Sequence, residues 1–103
     1  MVKKLLTEQF ESATQEGVTL IDFYADWCGP CRRLSPIIES VSKQVSPNAD
    51  IYKVNIDESG ALARRFGIRS VPTLLLFKDG ELVNSVSGLQ SEKTILRIIK
   101  SAL

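Results

Sequence analysis

The chain has 103 residues, of which 44% are hydrophobic and 24% charged, and its formal net charge is +1. This length predicts one domain over residues 1–103 with a modest core, and the near-neutral charge gives no strong field for nucleic acid or an anionic membrane. The sequence has no histidine, which excludes Ser-His and Cys-His nucleophilic catalysis, Cys/His zinc sites and the usual haem attachment motif.

The apolar segments are short. A run such as 71–77 is far too short to span a bilayer. The first residues include two lysines, but only two leucines precede the polar residues Thr7, Glu8 and Gln9, so we expect no hydrophobic signal segment. The expected location is therefore the cytoplasm, where structural disulfides are rare.

The first elements alternate between strand and helix. Residues 2–6 form a weak strand candidate, and Thr7 is placed to cap a short helix that ends at Gly17. Residues 18–25 are apolar except for one threonine and Asp22. That pattern predicts a central strand buried on both faces.

The next helix begins near the two cysteines and ends at Ser46-Pro47-Asn48. Its buried stripe recurs at helical spacing: Leu34, Ile37, Ile38, Val41 and Val45. Residues 51–56 alternate as a third strand. Ser59 is then placed to cap a short helix that Gly67 closes.

The last third predicts a hairpin and a helix. Residues 73–78 and 81–86 flank Asp79-Gly80, a strong signal for a two-residue hairpin turn. Ser91 can cap the C-terminal helix. The element order is therefore β-α-β-α-β-α-β-β-α, which predicts an α/β fold with a central, mixed, five-stranded sheet covered by helices on both faces. Four aromatic residues are assigned to its core: Phe10, Phe23, Phe66 and Phe77.

Cys28 and Cys31, the only cysteines, lie where the buried strand passes into a helix. Free N–H groups and the helix dipole at that end favour a thiolate at Cys28, so its pKa is expected to lie below that of a free cysteine. Cys31 lies one turn further on and is expected to be less exposed. Cys28 is therefore predicted to attack a substrate disulfide and Cys31 to resolve the mixed disulfide. Gly29 leaves room for the substrate, and Pro30 stiffens the turn.

Other interpretations of the pair are weaker. A structural disulfide that closes so short a loop would stabilise little, because it hardly restricts the unfolded chain. A metal site needs about four ligands, and the chain has two thiols and no imidazole. Two chains could share a metal cluster, but nothing in the sequence supports this, and no metal is predicted.

The sequence resembles the thioredoxin family. Trp-Cys-Gly-Pro-Cys lies inside IDFYADWCGPCRRLSP, and the likeness continues through KVNID at 53–57, FGIRSVPTLLLFKDGE at 66–81 and Gly88. It covers essentially the whole chain, and it implies a thioredoxin fold. One departure is Tyr24, where the best-known members carry tryptophan; Asp26 and Arg32 stand at variable flanking positions.

The resemblance implies an acid–base partner for the cysteines. Asp22 matches the family's buried aspartate, which moves protons to and from the second cysteine, and desolvation would raise the pKa of a carboxyl in this strand. The residues alone leave open an aspartate that faces solvent. Lys53 matches a family lysine near that aspartate; strand alternation places it opposite Tyr52 and Val54, and a solvated lysine is the alternative.

The resemblance also implies a docking surface for client proteins. Val71-Pro72 matches the family's cis-proline segment, although the sequence alone shows only a proline entering a strand. The Val71 backbone would pair with an extended substrate. The predicted surface is shallow and mostly apolar: Trp27, Gly29, Pro30, Val71, Pro72 and Gly88. For Trp27, the alternative is packing in the core.

The resulting functional hypothesis is a general protein-disulfide reductase that acts as an electron carrier. Its only redox group would be the Cys28–Cys31 disulfide, with no bound cofactor. The resemblance implies two kinds of partner, a flavoprotein reductase that uses NADPH and disulfide-containing client proteins, and the protein is expected to be a monomer. A disulfide oxidase or isomerase, and a binding module without redox turnover, are the alternatives.

Overall fold

The computed structural model describes residues 2–103 as one five-stranded sheet flanked by helices. The strands are β1 (Lys3–Lys4), β2 (Val18–Tyr24), β3 (Ala49–Asn55), β4 (Thr73–Lys78) and β5 (Glu81–Ser87). The helices are α1 (Phe10–Thr14), which follows a 3-10 turn at Thr7–Gln9, α2 (Gly29–Val45), α3 (Gly60–Arg65) and α4 (Glu92–Lys100). Across residues 2–103, no helix combines the length and the apolar character that crossing a membrane requires.

The sheet order is β1-β3-β2-β4-β5, so β2 lies at its centre. β2 pairs with β3 in parallel and with β4 antiparallel, and β5 adds a second antiparallel neighbour at the edge. In this register Asp22 is opposite Lys53 on one side and Leu74 on the other. The predicted mixed sheet and its element order are confirmed.

The core lies in two layers, one on each face of the sheet. One layer packs α2 and α4 against the sheet through side chains such as Leu20, Leu34 and Ile99. The other packs α1 and α3 against the opposite face through Phe10, Phe23, Val54, Leu62 and Phe77. Phe66 is only partly buried against this second layer, where its ring lies 5.3 Å from that of Phe10. The layers follow strand alternation, since residues 20 and 21 of β2 enter opposite clusters.

Two predicted helix caps differ from the structure. Thr7 begins a 3-10 turn rather than capping a helix, and the Gln9 side chain accepts a hydrogen bond from the Leu6 N–H at 2.9 Å. Ser59 is the N-cap residue of α3, but its side chain makes no capping hydrogen bond. By contrast, the Ser91 hydroxyl accepts the Thr94 N–H at 3.1 Å, so the predicted cap of α4 is confirmed.

Candidate active site

Cys28 and Cys31 are joined by a disulfide at the point where the chain leaves β2 and enters α2. Cys28 is the N-cap residue of α2, with extended backbone angles, and Pro30 lies in the first turn. The Cys31 N–H points back to the Cys28 sulfur at 3.2 Å. The two Cα atoms are 5.3 Å apart. The helix therefore brings the two sulfurs together without any break in its first turn.

The two cysteines differ in position rather than in exposure. Both are 5% exposed, so the prediction that Cys31 is the less exposed residue is wrong. The reason is that the Val71 loop covers Cys28: its sulfur lies 3.6 Å from the Val71 carbonyl oxygen. The sulfur carries no proton in the disulfide, so this is a contact and not a hydrogen bond.

Asp22 is a buried carboxyl group on the α2 side of the sheet. It is 5% exposed, so the solvent-facing alternative is wrong. Within residues 2–103 its Oδ1 atom has no hydrogen-bond partner. Burial raises the pKa of Asp22 to about 7, because desolvation penalises the carboxylate, and the positive charge of Lys53 opposes that rise. Both protonation states are therefore populated near neutral pH.

Lys53 lies opposite Asp22 on β3 and is partly buried. Its amino group lies 5.5 Å from the centroid of the Tyr24 ring, within reach of a cation–π contact. Tyr52 and Val54 belong to the cluster on the other face, so the predicted direction of Lys53 is confirmed. Among residues 2–103 it forms no ion pair within 4.0 Å. Its positive charge therefore acts on Asp22 from the neighbouring strand and not through a direct ion pair.

The Trp27 side chain is exposed to solvent and is not packed in the core. It is 67% exposed, and its indole N–H donates to an Asp57 carboxylate oxygen at 3.0 Å. The Asn55 side chain supports the same loop, because it accepts the Asp57 N–H at 2.8 Å and donates to the Asp26 carboxylate at 3.5 Å. A large apolar ring fixed beside Cys28 can contact a partner at little cost in side-chain entropy.

The Val71-Pro72 segment faces the cysteines from across the site. The peptide bond between them is cis, as the family resemblance implied. Pro72 is buried, and its carbonyl accepts the Gly88 N–H at 2.8 Å, so Gly88 is tied to the same loop. Gly88 has φ of +85°, a conformation that favours glycine. Within residues 2–103, Val71 makes no backbone hydrogen bond.

The structure thus brings most of the predicted site residues to one edge of the sheet. Trp27, Gly29 and Pro30 lie on the α2 side of the cysteines, and the loop of Val71, Pro72 and Gly88 lies opposite. Asp22 and Lys53 lie beneath, inside the sheet. In the part of the chain described, residues 2–103, no three carboxylate or cysteine side chains cluster as a metal site would require.

Two polar residues at this edge, Asn55 and Asp57, were not predicted as site residues, and Asp26 was predicted only as a flanking position. One signal was available, because each follows or ends one of the two central parallel strands, whose carboxyl ends meet at the same edge. That signal places the residues near the cysteines. It does not pair Asp57 with Trp27, since the two lie 30 positions apart in the chain.

Comparison with known proteins shows that both the sequence and the fold are similar to those of thioredoxins. A family model described as Thioredoxin matches residues 1–101. The chain is 48% identical over 99 residues to a thioredoxin from Chlamydia caviae, covering 96% of each chain. It is 37% identical over 102 residues to one from Staphylococcus saprophyticus, covering 99% of this chain and 98% of the relative. A solved structure of a mutant thioredoxin from Halobacterium salinarum NRC-1 superposes with a TM-score of 0.89 at 41% identity, over 98% of this chain and 88% of that one.

Proposed function

We propose a role for each site residue from one premise: this chain belongs to the thioredoxin family and is a protein-disulfide oxidoreductase that works by dithiol/disulfide exchange. The observation that carries the proposal is the Cys28–Cys31 disulfide at the N-terminus of α2. In the reduced form, Cys28 is the attacking thiolate, because the unpaired N–H groups and dipole of α2 stabilise negative charge there.

The first step transfers the client to Cys28. The Cys28 thiolate attacks one sulfur of the client disulfide, so that a Cys28–client disulfide forms and the other client sulfur leaves as a thiolate. The Cys31 N–H, which points at the Cys28 sulfur at 3.2 Å, is placed to stabilise charge on it. The Val71 carbonyl, 3.6 Å away, lies beside the same sulfur.

The second step releases the reduced client. Cys31 loses its proton and attacks the Cys28 sulfur, which restores the Cys28–Cys31 disulfide and expels the second client thiolate. Two electrons have then moved from the dithiol to the client. Asp22 accepts the Cys31 proton, directly or through water, because a carboxyl group with a pKa of about 7 exists in both forms at neutral pH. The positive charge of Lys53 favours the carboxylate form of Asp22 and so limits the rise in its pKa.

Client proteins dock on the surface around the cysteines. An extended client segment pairs with the Val71 backbone, which makes no hydrogen bond to another backbone group within residues 2–103. The exposed Trp27 ring provides apolar contact area, and Gly29, Pro30, Pro72 and Gly88 complete the surface. A docking surface that is shallow and mostly apolar, as predicted, suits a reductase with many clients.

The oxidised chain has to be reduced again after each turnover. We propose an NADPH-dependent thioredoxin reductase as the electron donor and disulfide-containing proteins as clients. The chain works as a single domain and a monomer without a bound cofactor, since the electrons reside in the two cysteines. Its proposed location is the cytoplasm, where such a donor keeps thiols reduced.

Trapping experiments on the reduced protein test the roles of the two cysteines. Brief iodoacetamide treatment near neutral pH should alkylate Cys28 at least about tenfold faster than Cys31, because the thiolate is the reactive form. A Cys31→Ser variant should hold a client as a stable mixed disulfide on Cys28, whereas Cys28→Ser should trap none. Preferential alkylation of Cys31, or trapping by the Cys28→Ser variant, would reverse the assignment.

A further inference from the structure

Two arginine side chains converge on the space beside Gly29, the residue that follows Cys28. A Cβ atom placed on Gly29 would lie 3.7 Å from Nη1 of Arg33 and 4.0 Å from Nη2 of Arg32. Apart from Cys28 and Pro30, no other side chain within residues 2–103 reaches within 4 Å of that position. Positions 32 and 33 lie three and four residues after Gly29, which is the spacing that brings helical side chains over the same patch. Both guanidinium groups therefore border the mouth of the site.

The charges of this pair are not neutralised within the protein. Arg32 donates to the Asp26 backbone carbonyl at 2.8 Å, which fixes its direction and leaves other N–H donors free. Within residues 2–103, neither guanidinium lies within 4.0 Å of a carboxylate. Both arginines are exposed. Their positive charges add to that of the α2 N-terminus, on one side of the cysteines.

The neighbouring carboxylates keep their charge, but within residues 2–103 none lies within 4.0 Å of either guanidinium group. Asp57 accepts the Trp27 indole N–H, and Asp26 accepts an Asn55 amide N–H. Glu58 forms an ion pair with Lys4 at 2.7 Å. The acidic groups near the site are therefore held by Trp27, Asn55 and Lys4, while the two guanidinium groups beside Gly29 have no carboxylate partner within residues 2–103.

From this arrangement we propose that Arg32 and Arg33 form a cationic rim that favours client disulfides flanked by aspartate or glutamate. The inference rests on the proposed function and adds a specificity to it. A client sulfur has to reach Cys28, so the side chains next to the client cysteine come within reach of Gly29. A carboxylate there can accept hydrogen bonds from both guanidinium groups, whose planar forks fit carboxylate geometry.

The test uses two cyclic disulfide peptides that differ only in having glutamate or lysine on either side of the cysteines. The pre-reduced protein is mixed with each peptide, and the second-order rate constant is read from the change in tryptophan fluorescence. Each constant is divided by the rate constant for dithiothreitol, because flanking charge alters the leaving thiol. The measured quantity is the normalised preference for the acidic over the basic peptide.

The wild-type protein should prefer the acidic peptide by roughly five- to tenfold at low ionic strength, as expected for exposed ion pairs. The double variant Arg32→Gln, Arg33→Gln should bring the preference to within about twofold. Raising the salt concentration should weaken the wild-type preference in the same direction. Arg97→Gln, which removes an exposed arginine on α4, is the matched control and should keep the wild-type preference.

The ratio of the two normalised rate constants reports client recognition and not the reactivity of Cys28. Loss of the arginines also changes the reactivity of Cys28, but both peptides meet the same thiolate, so that effect cancels in the ratio. Equal normalised rates in the wild-type protein, or a preference that persists in the double variant, would overturn the proposal. Failure of the proposed function has another signature, since neither peptide would then be reduced.

Discussion

Asp22 keeps an ionisable carboxyl group inside an otherwise apolar strand. Burial favours its neutral form, and the Lys53 charge limits that effect, so the carboxyl pKa lies at about 7. Lys53 lies over the Tyr24 ring rather than in contact with the carboxylate. A direct ion pair would favour the charged form and lower the pKa of Asp22 further. The separation keeps Asp22 able to gain and lose a proton at neutral pH.

Replacement of Asp22 by asparagine should slow the second step of the cycle. With an aryl disulfide as client, the second thiol release should fall by roughly 10- to 100-fold at pH 7, because the general base is gone. In the wild-type protein this rate should rise with pH through about 7, as Asp22 becomes a carboxylate. In the Asp22→Asn variant the rise should move to higher pH, where the Cys31 thiol ionises without a base. Stopped-flow absorbance resolves the two releases.

Asp50→Asn is the matched control for this experiment, since Asp50 is an exposed residue of the neighbouring strand β3. It should leave both releases at wild-type rates. If the Asp22→Asn variant kept the wild-type rate and pH profile, Asp22 would have no part in proton transfer.

At the scale of elements, the β4–β5 hairpin shows how local sequence and a distant contact act together. Asp79 and Gly80 both have positive φ, of 49° and 84°, as this tight turn requires. The Asp79 carboxylate also accepts the Gly17 N–H at 2.8 Å, while the Asp79 N–H donates to the Gly17 carbonyl at 2.9 Å. The turn that closes the hairpin thus also fixes the loop that leads into β2.

Two glycine-to-alanine substitutions should differ in their effect on stability. Gly80→Ala should lower the free energy of unfolding by roughly 1–2 kcal/mol, because alanine is strained at positive φ. Gly60→Ala, at the start of α3, should be neutral or stabilising by up to about 1 kcal/mol. The new Cβ would approach the Arg64 guanidinium at 3.1 Å, but that flexible side chain can move. Urea denaturation measures the free energy of unfolding of both variants. A Gly80→Ala protein as stable as the wild type would contradict the proposed requirement for positive φ in the turn.

At the scale of the whole molecule, one buried carboxyl group couples folding to pH. The unfolded chain exposes Asp22 to water, where its pKa is about 3.8, whereas the folded protein raises it to about 7. Between these values the folded state binds the extra proton. The stabilising contribution is therefore fully present below about pH 3.8 and is lost as the pH rises through 7.

The free energy of unfolding of the oxidised protein should accordingly contain a term that falls by about 2–4 kcal/mol between pH 4 and pH 8. Other carboxyl groups add their own pH dependence, so the difference between wild type and Asp22→Asn isolates this term. Urea titrations at intervals of one pH unit provide the measurement. Parallel curves for the two proteins would show that Asp22 has an ordinary pKa in the folded state.

The order of the elements, the two-sided burial of β2 and the position of the cysteine pair could all be predicted from the sequence. These follow from local signals: an apolar run at 18–25, a helical stripe after the cysteines, and Asp79-Gly80 between two strands. Such signals depend on residues close in the chain, so they survive without knowledge of the fold. They also placed Asp22 in the strand that leads to the cysteines.

The contacts between groups that are distant in the chain could not be predicted and are known only from the folded structure. The Val71 loop covers Cys28 as closely as the helix covers Cys31, the Trp27 indole donates to Asp57, and the two guanidinium groups turn back to Gly29. Each contact depends on strand register or on a choice of side-chain rotamer, and a local sequence pattern fixes neither. The sequence therefore located the redox pair. The packing of the folded chain determined that the Val71 loop covers Cys28, that Asp22 is buried near Lys53, and that two arginines lie beside Gly29.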